Sequence, residues 1–114
     1  PEVDVYNYTV VRNVSEEIRQ SAVESGVVGD ILGHNFTIDG EIIDLEWTKL
    51  LVTIPMEKLV KIPNLIAIIA GAKKIPSLIG MARTGVTSLI ITNAGVARGA
   101  LKILAAEQRL TSGF

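Results

Sequence analysis

Two apolar runs in the second half of the chain are each followed by a turn and an amphipathic segment, and this repeated pattern constrains the fold most. The first run, Leu65–Ala70, leads through Gly71 into Pro76–Thr84, and the second run, Val86–Thr92, leads into Ala94–Arg109. Apolar runs that alternate with helical periodicity are typical of parallel strands buried on both faces and joined by helices. The sequence therefore predicts two buried parallel strands, each followed by a helix.

The first half of the chain adds a helix, a hairpin and further strands. Asp39-Gly40 is the strongest short-range hairpin signal, because both residues tolerate the backbone conformation of a tight turn. The other predicted elements are a strand over Tyr6–Val11, a helix over Ser15–Glu24, hairpin strands over His34–Ile38 and Glu41–Leu45, a strand over Lys49–Ile54 and a helical turn over Met56–Lys61. This order predicts an α/β fold with a mostly parallel sheet, flanking helices and a β-hairpin excursion.

The composition excludes several classes of protein. The longest fully apolar run, Leu65–Ala72, has eight residues, far fewer than the roughly 20 that a membrane-spanning helix needs, so no membrane partner is expected. The net charge of −1 with scattered lysines provides no basic stripe for nucleic acid. The absence of cysteine excludes disulfides and thiolate metal sites, and it agrees with a cytoplasmic location.

The turn Gly71-Ala72-Lys73-Lys74 is the first candidate ligand site. It lies where a predicted strand ends and a helix begins, the usual position of a binding site in an open α/β sheet. The helix N-terminus offers unpaired N–H groups and partial positive charge, and a lysine adds a mobile cation suited to phosphate. The alternative is that the lysines are ordinary surface residues of a turn that binds no ligand. No GxxxxGK[ST] or GxGxxG motif is present, so neither a nucleotide site nor a cofactor is predicted.

Gly29-Asp30 is the second candidate. Asp30 interrupts an apolar stretch, where a carboxylate must be paired, hydrogen-bonded or directed into a cleft, and a carboxylate readily accepts hydrogen bonds from sugar hydroxyls. The alternative is a turn or capping role for this residue.

The only histidine, His34, lacks the partners of a catalytic or metal site, so we expect a structural role at the hairpin. Asn93 is explained as the N-cap of the last helix.

A longer pattern runs through these candidates: Gly26–Gly33 (GVVGDILG), Phe36, Asp39-Gly40, Ile54–Leu59 (IPMEKL), Ile62-Pro63, Ala70–Lys74, Arg83–Gly85 and Leu89–Asn93 (LIITN). In order and spacing, this pattern resembles the C-terminal part of the sugar-binding domain of SorC-family bacterial transcriptional regulators. The resemblance covers roughly Ser21 to Leu101.

The resemblance implies a Rossmann-like fold that is shared with ribose-5-phosphate isomerase and glucosamine-6-phosphate deaminase. It also implies a homo-oligomeric domain that senses a sugar or phosphosugar, and DNA binding only through a helix-turn-helix segment that this chain lacks. The ligand contacts of the family fall on the segment of Gly29 and Asp30 and on a lysine after Gly71. Lys74 fits this lysine best, with Lys73 as the other possible register.

The chain departs from the family pattern at two points near the site. The glycine turn is one residue shorter, with Ala72 where a second glycine is usual, and Asn93 stands where the family commonly has Asp. The Gly/Thr-rich phosphate loop of the full domain is absent, so we expect residues 1–114 to be one α/β domain that is a fragment of a larger effector-binding domain.

One alternative is an isomerase or deaminase of sugar phosphates with Asp30 as general base. Another is a structural fragment that associates through its apolar face.

Overall fold

The computed structural model describes residues 15–112, and the predicted strand Tyr6–Val11 lies outside them. In chain order the elements are α1 (Glu16–Glu24), β1 (Val27–Ile31), β2 (His34–Thr37), β3 (Ile42–Ile43), a 3-10 helix (Glu46–Leu50), α2 (Met56–Leu59), β4 (Ile66–Ile69), a 3-10 turn (Ala72–Lys74), α3 (Ile75–Thr84), β5 (Leu89–Thr92) and α4 (Ala94–Ser112). The strands form an antiparallel sheet β1-β2-β3 and a parallel sheet β4-β5. The α/β fold with a parallel sheet, flanking helices and a hairpin excursion is confirmed.

Two of the predicted helices begin and end at the residues that the sequence marks. α1 begins after Ser15, whose hydroxyl accepts a hydrogen bond from the Ile18 N–H at 3.4 Å, and Gly26 follows its end with φ of 75°. α3 has Pro76 in its first turn and ends before Gly85, whose φ is 70°. Both glycines stop their helices because a positive φ is costly for residues that carry a Cβ.

The parallel sheet consists of β4 and β5 in register, from Ile66 opposite Leu89 to Ile69 opposite Thr92. One face of this sheet packs toward the core. The prediction that both strands are buried on both faces is wrong for the described residues, because alternate side chains such as Ile68 are exposed. The described helices and the antiparallel sheet cover only one of the two faces.

The antiparallel sheet is larger than the predicted excursion. The hairpin through Asp39-Gly40 is confirmed, since β2 pairs with β3. β2 also pairs with β1, through a tight turn at Leu32-Gly33 that was not predicted. The φ angles of Leu32 and Gly33 are 50° and 85°, both positive, as in the turns that close two-residue hairpins. The sequence did not indicate this turn, because Leu32 occupies a position where asparagine or glycine is usual.

The predicted strand Lys49–Ile54 is wrong. A 3-10 helix takes up its first residues, and the rest joins neither sheet among the described residues. The Thr53 hydroxyl instead donates a hydrogen bond to the Leu32 carbonyl at 2.6 Å. The imidazole Nε2 of His34 lies 2.7 Å from the Ile54 carbonyl oxygen. Two side-chain hydrogen bonds therefore hold the end of this segment, although its β-branched composition predicted a strand.

The core lies between the antiparallel sheet, α3 and the inner face of the parallel sheet. A Cβ on Gly80 of α3 would lie 2.5 Å from the Thr37 carbonyl oxygen and 2.9 Å from the Phe36 ring. Glycine is therefore needed where the helix meets β2, since any side chain would push the two apart. The largest fully buried side chains of the described residues are Phe36, Leu59, Ile79 and Val96.

Arg83, near the end of α3, joins three elements. Its guanidinium donates hydrogen bonds to the Ile38 carbonyl at 3.2 Å and to the Glu107 carboxylate of α4 at 2.5 Å. The Asp39 carboxylate lies 3.9 Å from the same guanidinium. Each partly exposed ion pair contributes little stability alone, but together these contacts hold the hairpin tip beside the C-terminal end of α3.

The substitution Gly80→Ala is expected to destabilise the fold by about 1–3 kcal/mol, because the methyl group would collide with a backbone carbonyl of β2. Gly95→Ala in the first turn of α4 is the matched control. Its Cβ would find only the Asn93 Oδ1 at 3.9 Å, and we expect a change between zero and about 1 kcal/mol of stabilisation. Urea unfolding of both variants measures the difference. Equal free energies of unfolding would contradict the contact assigned to Gly80.

Candidate functional site

The Gly71–Lys74 turn connects the end of β4 to the start of α3. Gly71 has φ of 101° and ψ of 140°, a conformation that favours glycine, and its carbonyl accepts a hydrogen bond from the Lys74 N–H at 2.9 Å. The 3-10 turn Ala72–Lys74 then runs directly into α3. The predicted order of strand, glycine turn, two lysines and helix is therefore present.

The two lysines occupy different environments within this turn. Lys73 is exposed and Lys74 is half-buried. Lys74 precedes the first residue of α3 and makes no side-chain capping hydrogen bond to it, and the first turn of α3 contains no acidic residue. In contrast, α1 has Glu16 and Glu17 in its first turn. The N-terminus of α3 thus combines its partial positive charge with adjacent lysines, an arrangement that favours an anion.

The end of β5 lies at the same edge of the parallel sheet as Gly71, since Ile69 and Thr92 are paired. Asn93 follows Thr92, and its Oδ1 accepts a hydrogen bond from the Val96 N–H at 3.0 Å. This contact confirms Asn93 as the N-cap of α4. The Thr92 hydroxyl is buried and has no hydrogen-bond partner among the described residues.

Gly29 and Asp30 lie in β1 and have separate local roles. A Cβ on Gly29 would lie 2.7 Å from the Phe36 ring, so this glycine allows the ring to pack against the strand. Asp30 is exposed, and its Oδ2 accepts a hydrogen bond from the Gly33 N–H at 3.0 Å. The turn role considered for Asp30 is therefore present. A carboxylate offers about four acceptor sites, so this bond leaves acceptor capacity for a ligand hydroxyl.

Ser77 brings the two predicted parts of the site together. It lies in the first turn of α3, and its hydroxyl donates a short hydrogen bond to the Val28 carbonyl, one residue before Gly29. The N-terminal turn of α3 therefore packs beside the Gly29-Asp30 segment, although 40 or more residues separate them along the chain. Sequence reasoning did not single out Ser77. The only signal was a hydroxyl residue at the start of a helix.

His34 has a structural position. It is buried in β2, and its Nε2 contacts the Ile54 carbonyl oxygen at 2.7 Å. Nδ1 is buried and has no hydrogen-bond partner in the described part of the chain. Within residues 15–112, no group of three or more His, Cys, Asp or Glu side chains is placed to hold a metal ion. No helix in the same range combines the length and apolar character that a membrane span requires.

Comparison with known proteins places this arrangement in a family. A family model described as "Putative sugar-binding domain" matches residues 4–102. No curated protein matches the chain by sequence.

Solved structures with a similar fold come from several bacteria. A "Putative Sugar-Binding Domain of Transcriptional Repressor" from Vibrio fischeri is 29% identical over 78% of this chain, with a TM-score of 0.71. A "Probable sor Operon Regulator" from Shigella flexneri is 26% identical over 75% of the chain, with a TM-score of 0.70. The full-length sorbitol operon regulator SorC from Klebsiella pneumoniae, 24% identical over 73% of the chain with a TM-score of 0.69, shows the same fold.

The matched regions make up only part of these proteins. They cover 36%, 34% and 27% of the Vibrio, Shigella and Klebsiella chains, respectively. The fold and the family match define the class of protein as a sugar-binding domain. The chain belongs to this family of sugar-binding domains, and it corresponds in length to about a third of the Vibrio domain and of the Shigella regulator.

The turn role and any ligand role of Asp30 can be separated by two substitutions. Asp30→Asn retains a side-chain oxygen that can accept the Gly33 N–H, so we expect the free energy of unfolding to change by less than about 0.5 kcal/mol. Asp30→Ala removes this acceptor and is expected to cost about 1 kcal/mol. Urea unfolding measures both. If Asp30→Ala were as stable as the wild type, the hydrogen bond to Gly33 would not support the turn.

Proposed function

We propose that this chain forms part of a non-enzymatic effector-sensing domain, in which the Gly71–Lys74 turn and the neighbouring Gly29-Asp30 segment contact a sugar or phosphosugar. The observation that carries the proposal is the packing of the first turn of α3 beside β1 through Ser77. This hydrogen bond joins the N-terminal turn of α3, which follows two lysines, to the strand that contains Asp30, and the family model that matches the chain is described as sugar-binding. Neither group alone would distinguish a ligand site from an ordinary turn.

The two parts of the site differ in the chemistry they offer. Lys74 and the N–H groups at the start of α3 suit a phosphate or another acidic group, because they combine a full and a partial positive charge. Lys73, in the same turn, is the alternative cation. The Asp30 carboxylate suits the hydroxyls of a sugar ring, since it accepts hydrogen bonds and donates none when ionised. A phosphosugar would use both parts, whereas a neutral sugar would depend mainly on Asp30.

The remaining part of the proposal concerns the whole regulator. The chain spans about a third of the solved Vibrio sugar-binding domain and of the solved Shigella regulator, so we infer that further residues complete the site from the opposite side. Ligand binding would then shift the population between arrangements of a homo-oligomer, provided that the ligand prefers one of them. A separate segment would bind DNA, which places the assembled regulator in the bacterial cytoplasm.

Catalysis is the alternative within this fold. Isomerisation or deamination of a sugar phosphate requires a positioned general base near the substrate carbon. Asp30 is the base that the sequence offers, but its Oδ2 is engaged with the Gly33 N–H in a turn. The matched proteins are described as a domain of a transcriptional repressor and as an operon regulator, which favours sensing over turnover.

A thermal-shift screen of the full regulator polypeptide containing this chain, against sugars and their phosphates, tests the proposal. A sensed ligand at about 100 times its Kd should stabilise the protein by about 2.7 kcal/mol, and a rise of several degrees in Tm is expected. Lys74→Ala should abolish most of this rise for a phosphosugar. Lys73→Ala tests the other register of the turn, and Lys102→Ala, an exposed lysine of α4, should leave the rise unchanged.

Two results would contradict the proposal. If no sugar or phosphosugar raises the Tm of the full polypeptide, the sensing function is wrong. If a phosphosugar raises the Tm equally in the wild type and in both turn variants, the Gly71–Lys74 turn is not part of the site. Conversion of a bound phosphosugar to product would assign the chain to the isomerase or deaminase alternative.

A further inference from the structure

The first strand of the antiparallel sheet contains one residue more than its neighbour can pair. The register between β1 and β2 shifts between Val27 and Gly29, so Val28 has no partner residue in β2. An extra residue of this kind is a β-bulge, which bends the strand and is over-represented next to active sites. The bulge in β1 comes directly before the Gly29-Asp30 segment.

The bulge sends consecutive side chains of β1 into different hydrophobic clusters. Val27 packs with Ala22 and Leu45 in one cluster. Val28 packs against the other cluster, which contains Phe36. Side chains of a regular strand alternate between two faces, and a shift of one residue would turn each of them to the opposite face. The extra residue is therefore needed for β1 to contribute to both clusters.

Ser77 of α3 uses the carbonyl of the bulged residue. Its hydroxyl donates a hydrogen bond to the Val28 carbonyl, and within residues 15–112 this is the one hydrogen bond between α3 and β1. Gly80 and Arg83 hold the middle and the C-terminal end of α3 through other elements. The Ser77 hydrogen bond therefore fixes the N-terminal end of the helix against β1.

Ser77 differs from an ordinary first-turn serine in the direction of its hydrogen bond. Hydroxyl residues near the start of a helix commonly accept a hydrogen bond from one of its main-chain N–H groups. Ser77 instead donates to another element, and α3 has no side-chain cap from the residue before it. The helix end is thus held from the side, while a side-chain cap does not compete with an anion for its N–H groups.

We propose that Ser77 is a positioning residue of the sugar site. Its hydrogen bond to the bulge at Val28 sets the spacing between the two parts of the site, the Gly71–Lys74 turn and the Gly29-Asp30 segment. This inference rests on the proposed function, because it requires a phosphosugar that contacts both parts. A ligand that bridges two subsites gains affinity only when their geometry allows both contacts at once. Removal of the Ser77 hydroxyl should therefore weaken only ligands that span both parts.

The test compares three probes on the full regulator polypeptide that contains this chain. The probes are inorganic phosphate, the phosphosugar that raises the Tm most in the thermal-shift screen, and the unphosphorylated form of that sugar. Isothermal titration calorimetry gives the Kd of the phosphosugar, and competition against it gives the Kd of the two weaker probes.

Ser77→Ala is expected to raise the Kd of the phosphosugar by about tenfold, because the two parts of the site lose their fixed spacing. The Kd of phosphate and that of the unphosphorylated sugar should change by less than about twofold, since each probe contacts only one part. Ser77→Thr keeps the hydroxyl and should bind the phosphosugar nearly as tightly as the wild type does.

Ser88→Ala is the matched control. The Ser88 hydroxyl also donates a hydrogen bond to a main-chain carbonyl, that of Leu65 at 3.1 Å, but it lies at the ends of β4 and β5 opposite to the Gly71–Lys74 turn. Both alanine variants should lower the Tm by only a few degrees, because each loses one hydrogen bond. Only Ser77→Ala should change the Kd of the phosphosugar relative to the other two probes.

Three results would overturn the positioning role and leave the sensing function intact. They are an unchanged phosphosugar Kd in Ser77→Ala, an equal weakening of all three probes, and a Ser77→Thr variant that binds as weakly as Ser77→Ala. A Ser77→Ala variant that does not fold would also contradict the proposal, since the hydrogen bond would then support the fold rather than the spacing of the site. If no sugar or phosphosugar binds the wild type, the sensing function itself is wrong and this inference falls with it.

Discussion

The contact between α3 and β2 at Gly80 is the constraint on which the rest of the structure depends. With no side chain at this position, the helix approaches the Thr37 carbonyl and the Phe36 ring more closely than any other residue would allow. Phe36 in turn packs over Gly29, where a second Cβ would also collide with its ring. Two glycines and one aromatic ring therefore fix the distance between the helix and the antiparallel sheet.

This close packing sets the position of both ends of α3. At the N-terminal end, Ser77 reaches the Val28 carbonyl of β1, and at the C-terminal end Arg83 reaches the Ile38 carbonyl of the hairpin. The helix is thus held along its length against one sheet while its N-terminus continues from the end of β4 in the other. The Gly71–Lys74 turn joins β4 to α3, so the packing of α3 also determines where this turn lies. A ligand that contacts this turn and β1 would bridge the two sheets, which gives a physical route from binding to a change in domain arrangement.

Local signals in the sequence predicted much of the fold. The helix bounds followed from Ser15, Gly26, Pro76 and Gly85, and the hairpin from Asp39-Gly40, because caps and turns depend on neighbouring residues alone. The tertiary arrangement could not be predicted in the same way. The turn at Leu32-Gly33 lacked its usual residues, and the segment after Leu50 had a strand-like composition but is held by side-chain hydrogen bonds.

The candidate site also combines features that local sequence signals predicted with features that depend on tertiary packing. The order of Gly71, Lys73, Lys74 and the following helix was readable from sequence, as was the carboxylate of Asp30. The proximity of the first turn of α3 to the Gly29-Asp30 segment, which the Ser77 hydrogen bond establishes, depends on the packing of α3 against β1. No local sequence pattern encodes this packing. The exposure of one face of β4 and β5 was also unpredictable, because continuous apolar strands look the same in sequence whether or not their second face is covered.

The most direct measurement of the central claim is a titration followed by backbone amide NMR, with a phosphosugar added to the complete sensing domain that contains this chain. Saturable shifts are expected in the amides of Gly71 to Ile75, of Ser77 and of Gly29 to Ile31, with little change in the amides of Ile66 and Leu89 at the opposite ends of β4 and β5. Saturable shifts confined to other regions, with these amides unmoved, would contradict it.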